Sequence, residues 1–74
     1  MYGEPMKFDG EALKEAREAK GMSLELLAGM ADCSVQTVIN AETGSNDPIG
    51  STVAKMARAL GVTMDSLYIE GEAA

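Results

Sequence analysis

Two short helical segments parted by a three-residue link constrain this chain more than any other feature. Ser23 can cap a helix over residues 24–31, in which Leu24, Leu27, Ala28 and Ala31 fall at i, i+3, i+4 and i+7. Ser34 can cap the next, over residues 35–43, with Val38, Ala41 and part of Thr37 turned inward and Gly44 as its stop. Between them stand Asp32 and Cys33, and an aspartate can take the left-handed backbone that a tight helix-to-helix turn needs.

The remaining punctuation divides the chain into further short helices. Asp9 can cap a helix over residues 10–20, with Glu11 in the first turn, Lys20 in the last, and Leu13, Ala16 and part of Arg17 inward. Ser51 or Thr52 can cap another over residues 52–60, where Val53, Met56, Ala57 and Leu60 repeat the buried stripe. Thr63 can cap a fifth over residues 64–69. Residues 1–8, with Gly3 and Pro5, read as a loose arm, residues 9–69 as the folded domain, and residues 70–74 as a frayed tail. The expected architecture is an all-α, compact five-helix bundle with no strand.

Seventy-four residues hold one domain, whose stability of about 4–11 kcal/mol suits one small core. Without histidine, and with Cys33 as the single cysteine, a zinc site, a Ser-His-Asp triad and a disulfide framework all lack their parts. No enzyme, no metal and no cofactor is therefore expected. No apolar run nears membrane length and the first residues lack the pattern of a signal peptide, so a cytoplasmic module is expected, without a membrane partner.

A link of this length allows a helix-turn-helix, in which one helix crosses a DNA backbone and the next enters the major groove. The side chains add to the spacing. Leu13-x3-Arg17-x3-Gly21-Met22-Ser23-x3-Leu27-Ala28, then Cys33-Ser34-x3-Val38-x3-Glu42-x-Gly44, then Pro48, and finally Met56-Ala57-x2-Leu60-Gly61-Val62 make a pattern that spans residues 10–68. It resembles the Cro and phage-repressor type of helix-turn-helix, also called the xenobiotic-response-element (XRE) type, with the lambda-repressor-like fold. The resemblance implies a sequence-specific DNA-binding transcriptional regulator, repressor-like, that reads double-stranded DNA with its third helix. It implies base-edge contacts from Val35, Gln36 and Asn40, since a carboxamide can pair bidentately with adenine and a valine can pack on a thymine methyl. It implies phosphate contacts from Ser23, Ser34, Ser45 and Asn46, and a structural ion pair between Arg17 and Glu42.

Several positions depart from that pattern. Leu24 stands where glutamine is frequent, Asp32 replaces a common turn glycine, and Gly50 takes the place of a leucine whose space Ile49 is expected to fill. Charge departs most. Residues 21 to 54 contain no Lys or Arg but four acids, Glu25, Asp32, Glu42 and Asp47, in a chain of net charge −6. Phosphate neutralisation supplies most non-specific DNA affinity, so this face lacks its usual driving force. The alternative reading is a protein-interaction module on the same fold, with Leu26, Met30 and Ile39 as an exposed apolar patch. A weak homodimer built on the C-terminal helix is expected, leaving the third helix free if DNA is the ligand; an interface at Leu26 would instead favour the interaction module.

Overall fold

A computed structural model describes residues 6–70. Strand β1 (Met6–Phe8) leads into α1 (Gly10–Ala19), α2 (Leu24–Met30), α3 (Val35–Thr43) and α4 (Gly50–Leu60). A single 3-10 turn (Met64–Leu67) then delivers the chain to β2 (Tyr68–Glu70). Four expected caps form: Asp9 Oδ1 accepts from the Ala12 amide at 3.2 Å, Ser23 Oγ from Leu26 at 3.0 Å, Ser34 Oγ from Thr37 at 3.1 Å and, at the 3-10 turn, Thr63 Oγ1 from Ser66 at 3.3 Å. Each satisfies one of the amide donors that a helix start leaves without an intrahelical partner.

The inward stripes meet in one core. Leu13, Leu27, Val38, Val53, Met56, Leu60 and Leu67 are its large members, with Ala28, Ala31, Ala41 and Ala57 letting the helix axes approach. Helix α3 packs between α1 and α2, and α4 closes the core against α2 and the 3-10 turn. Among the described residues, every buried side-chain nitrogen or oxygen has a hydrogen-bond partner. Gly10 is required at the start of α1, because a Cβ there would lie 2.7 Å from the Glu42 carbonyl oxygen at the end of α3.

The structure corrects the expectation in four places. The described residues form four α-helices rather than five, because the helix expected over residues 64–69 is only a 3-10 turn through Leu67. The chain is not strand-free: Met6, Lys7 and Phe8 pair antiparallel with Glu70, Ile69 and Tyr68. The Phe8 and Tyr68 rings meet edge to face with centroids 5.7 Å apart, and this contact draws the N-terminal segment onto the body of the protein. Of the arm expected over residues 1–8, Met6–Phe8 form a strand, and Glu70, expected in the tail, belongs to β2; residues 1–5 and 71–74, on which the rest of both expectations falls, lie outside the described residues. Helix α4 starts at Gly50 with Ile49 as N-cap and no side-chain cap bond, so neither Ser51 nor Thr52 caps it. Ile49 itself is 70% exposed and fills no core space.

Candidate nucleic-acid interface

The link between α2 and α3 closes through Asp32, whose φ of 56° is the one positive value among non-glycine described residues. Left-handed backbone normally costs a residue with a Cβ roughly 1–2 kcal/mol, and aspartate is among the side chains that tolerate it. The turn is secured by the Cys33 amide, which donates to the Ala28 carbonyl at 3.0 Å. Cys33 is half-buried and packs against the core as a small apolar residue. Burial, and then the Asp32 carboxylate beside it, push its thiol pKa up, away from the thiolate that a nucleophile requires.

At its other end α3 is anchored from inside. Arg17 Nε donates to Glu42 Oε2 at 2.6 Å and Nη2 to Oε1 at 3.2 Å, a two-pronged contact between α1 and α3. Arg17 Nη1 also donates to the Met22 carbonyl at 2.7 Å, so the same guanidinium fixes the link between α1 and α2. The side chains are only 12% and 7% exposed. The hydrogen bond to Glu42 raises the Arg17 pKa against the opposing effect of burial. The expected ion pair is present, and its geometry makes it an internal brace.

The outer face of α3 carries no charge. Gln36 Nε2 donates to Asn40 Oδ1 at 3.0 Å, one helical turn apart, and this bond leaves the Gln36 carbonyl as an acceptor and the Asn40 amine as a donor for other partners. Ser34 and Thr37 share a hydroxyl contact at 2.9 Å, and Thr43 and Ser45 another at 3.1 Å. Val35, expected beside Gln36 as a base contact, is half-buried and packs on the core, so less of it is offered outward. Ser23, Ser34, Ser45 and Asn46 are all exposed, in pairs flanking α2 and α3. Ser23 and Ser34 spend an acceptor lone pair on their helix caps, and Ser45 and Asn46 follow the Gly44 stop, where φ is 80°. The Asn46 amide donates back to the Asn40 carbonyl at 3.3 Å, which curls this loop against the end of α3.

The basic side chains are dispersed. Lys7 lies on β1, and Lys20 packs beside Gly61 at the end of α4. Lys55 reaches back from α4 to the Asp32 carboxylate at 3.6 Å, a contact at the helix-turn-helix link that spacing alone does not reveal. Leu26 and Met30 stand half-exposed one turn apart on α2, whereas Ile39, grouped with them from the sequence, is more covered.

Comparison with known proteins matches these features to a family. The helix-turn-helix family model matches residues 13–67. The restriction-modification controller protein C.AhdI from Aeromonas hydrophila is 33% identical, with a TM-score of 0.75 over 78% of this chain and 88% of its own. SinR, the Bacillus subtilis master regulator for biofilm formation, solved in complex with DNA, is 27% identical with a TM-score of 0.74 over 78% of this chain and 94% of its own. The P22 c2 repressor, solved with a synthetic operator, shares the fold at 22% identity and a TM-score of 0.76, over 78% and 88% of the two chains. Among curated proteins the comparison returns no match. The chain belongs to the helix-turn-helix family of the Cro and phage-repressor type.

Proposed function

We propose that this protein is a sequence-specific, DNA-binding transcriptional regulator that reads the major groove with α3. One observation carries the reading: the hydrogen-bonded Gln36–Asn40 pair, exposed along the middle of α3, presents carboxamide groups of the kind that pair with adenine N6 and N7. The internal brace from Arg17 to Glu42 supports it, because a reading helix must be held in fixed register with the rest of the domain. The 33% identity to a controller protein and the likeness to a regulator solved on DNA point the same way. Val35 would supply its remaining exposed surface to a thymine methyl. The hydroxyls of Ser23, Ser34 and Ser45 and the Asn46 amide would meet phosphates. The protein acts inside the cell as a regulator rather than a catalyst, and a dimer on two half-sites about one helical turn apart would extend the few base pairs one helix can read.

A second reading is favoured by charge. Residues 21 to 54 lack any Lys or Arg, and Leu26, Met30 and Ile49 are at least half-exposed. On that reading the fold is kept, DNA contact is lost, and α2 receives a protein partner. Selection of bound sequences from a random duplex pool, at low and at physiological salt, separates the two. A palindromic enrichment supports the regulator, and no enrichment at either salt overturns it in favour of the interaction module.

A further inference from the structure

The apolar side chains of α3 divide into two groups. Among the described residues, Val38 and Ala41 lie in the core and Val35 packs against it, but Ile39 belongs to neither set. Ile39 stands with Gln36, Asn40 and Thr43 at i, i+3, i+4 and i+7, on the side of the helix opposite Val38 and Ala41. Part of its surface stays in water. Neither core packing nor helix propensity asks for a β-branched apolar residue there, since isoleucine is a poorer helix former than alanine or leucine.

Its neighbours on that side show what it can meet. Gln36 and Asn40 are uncharged carboxamides bonded to each other, and the Thr43 hydroxyl donates to the Ile39 carbonyl at 2.9 Å. Thr43 therefore brings a methyl group rather than a free hydroxyl proton. The four side chains together offer amide groups and apolar surface, with no charge for an ionic ligand to pair with. Base edges in the major groove have the same character, and among the four bases only thymine carries a methyl group there.

We propose that Ile39 is a specificity-determining residue that packs on the 5-methyl group of a thymine beside the base read by the Gln36–Asn40 pair. The inference rests on the reading that α3 enters the major groove, and it gives Ile39 the larger share of methyl contact because Val35 is drawn toward the core. Burying one methyl group strengthens binding about fourfold. That gain comes from apolar area removed from water, not from counterion release, so it is independent of salt. With no Lys or Arg between residues 21 and 54, such contacts carry a larger share of the affinity than on a basic face.

The test replaces thymine with deoxyuridine, which removes only the methyl group and keeps the base pairing. A preferred duplex is first selected from a random pool, and each of its thymines is then replaced in turn. With wild type, replacement of at least one thymine should weaken binding about fourfold, equally at low and at physiological salt. With Ile39→Ala, which lies outside the core and should keep the wild-type helical dichroism, the same replacement should change affinity less than roughly 1.5-fold. A duplex in which no thymine responds, a response that fades as salt rises, or one that persists unchanged in Ile39→Ala overturns the inference and leaves the DNA reading standing. A pool that yields no preferred duplex at either salt overturns the DNA reading, and the inference falls with it.

Discussion

Lys55 Nζ lies 3.6 Å from Oδ2 of Asp32, so the first basic residue after a long cation-free stretch is held by the acid of the helix-turn-helix link. Both side chains are well exposed, and such a pair contributes little to stability. Its importance is in charge placement: Asp32, in the link that leads into α3, offsets the charge of Lys55.

Replacing Asp32 tests this directly. Asp32→Gly removes the acid and suits the φ of 56°, so stability should stay within about 1 kcal/mol of wild type, while DNA binds several-fold more tightly with a steeper salt slope. Asp32→Ala keeps the backbone strain and loses the short polar side chain that tolerates it, so it should lower stability by about 1 kcal/mol. Urea melts and binding titrations across salt read the two effects separately.

Arg17→Ala should cost about 3–5 kcal/mol, because it leaves Glu42 without its partner in a largely covered site. Lys14→Ala, on an exposed part of the same helix, should stay within about 0.5 kcal/mol of wild type. Matching urea midpoints for the two would mean that the brace contributes nothing.

Two glycines in helices should respond in opposite directions. Gly10→Ala forces a Cβ to within 2.7 Å of the Glu42 carbonyl oxygen, and the α1–α3 contact must open, at a cost of about 1–3 kcal/mol. Gly29→Ala meets nothing within 4 Å and should stabilise α2 by about 0.5–1 kcal/mol. Thermal melts of the two variants against wild type check the signs.

Gln36→Ala and Asn40→Ala should each change which bases are preferred, by about 1–3 kcal/mol of discrimination at one position. Their hydrogen bond makes them a unit, so the double variant should lose less than the sum of the singles. Lys14→Ala and Lys55→Ala should instead weaken all sequences alike and flatten a salt slope that is already shallow. Additive losses from Gln36 and Asn40 would mean that they read independently.

Cys33 gives the fold an alkaline limit. Its thiol pKa is raised in the folded chain, so the unfolded chain ionises first as pH climbs through the ordinary thiol value near 9.0. The folded state then holds more protons than the unfolded one, and stability should fall above that pH. Cys33→Ser should remove this part of the decline, as followed by urea midpoints between neutral and alkaline pH.

The parts of the fold written in short-range periodicity were legible in the sequence, and the parts that depend on distant partners were not. The stripes through Leu27, Val38 and Leu60, the caps at Asp9, Ser23 and Ser34, and the left-handed Asp32 all arise within one or two helical turns. Tyr68 and Ile69 favour strands as much as helices, and what decides between these is Phe8 and Lys7, some sixty residues away. At α4, Pro48 and an extended Ile49 start the helix ahead of the hydroxyls that seemed to mark its cap. In the candidate interface Gln36 and Asn40 were singled out by the resemblance to the family's third helix, whereas their mutual hydrogen bond, the inward lean of Val35 and the reach of Lys55 depend on side-chain conformation.

The close seating of Gly10 under the end of α3 has a consequence for how specificity can arise. At one end α3 is fixed by the turn through Asp32, and at the other by the backbone of α1 and the guanidinium of Arg17. A helix clamped at both ends has little freedom to slide or tilt in search of a better fit. Adaptation is then left to the other molecule, and operators would be ranked as much by how readily their base steps bend or twist to meet a stiff template as by the groups they display.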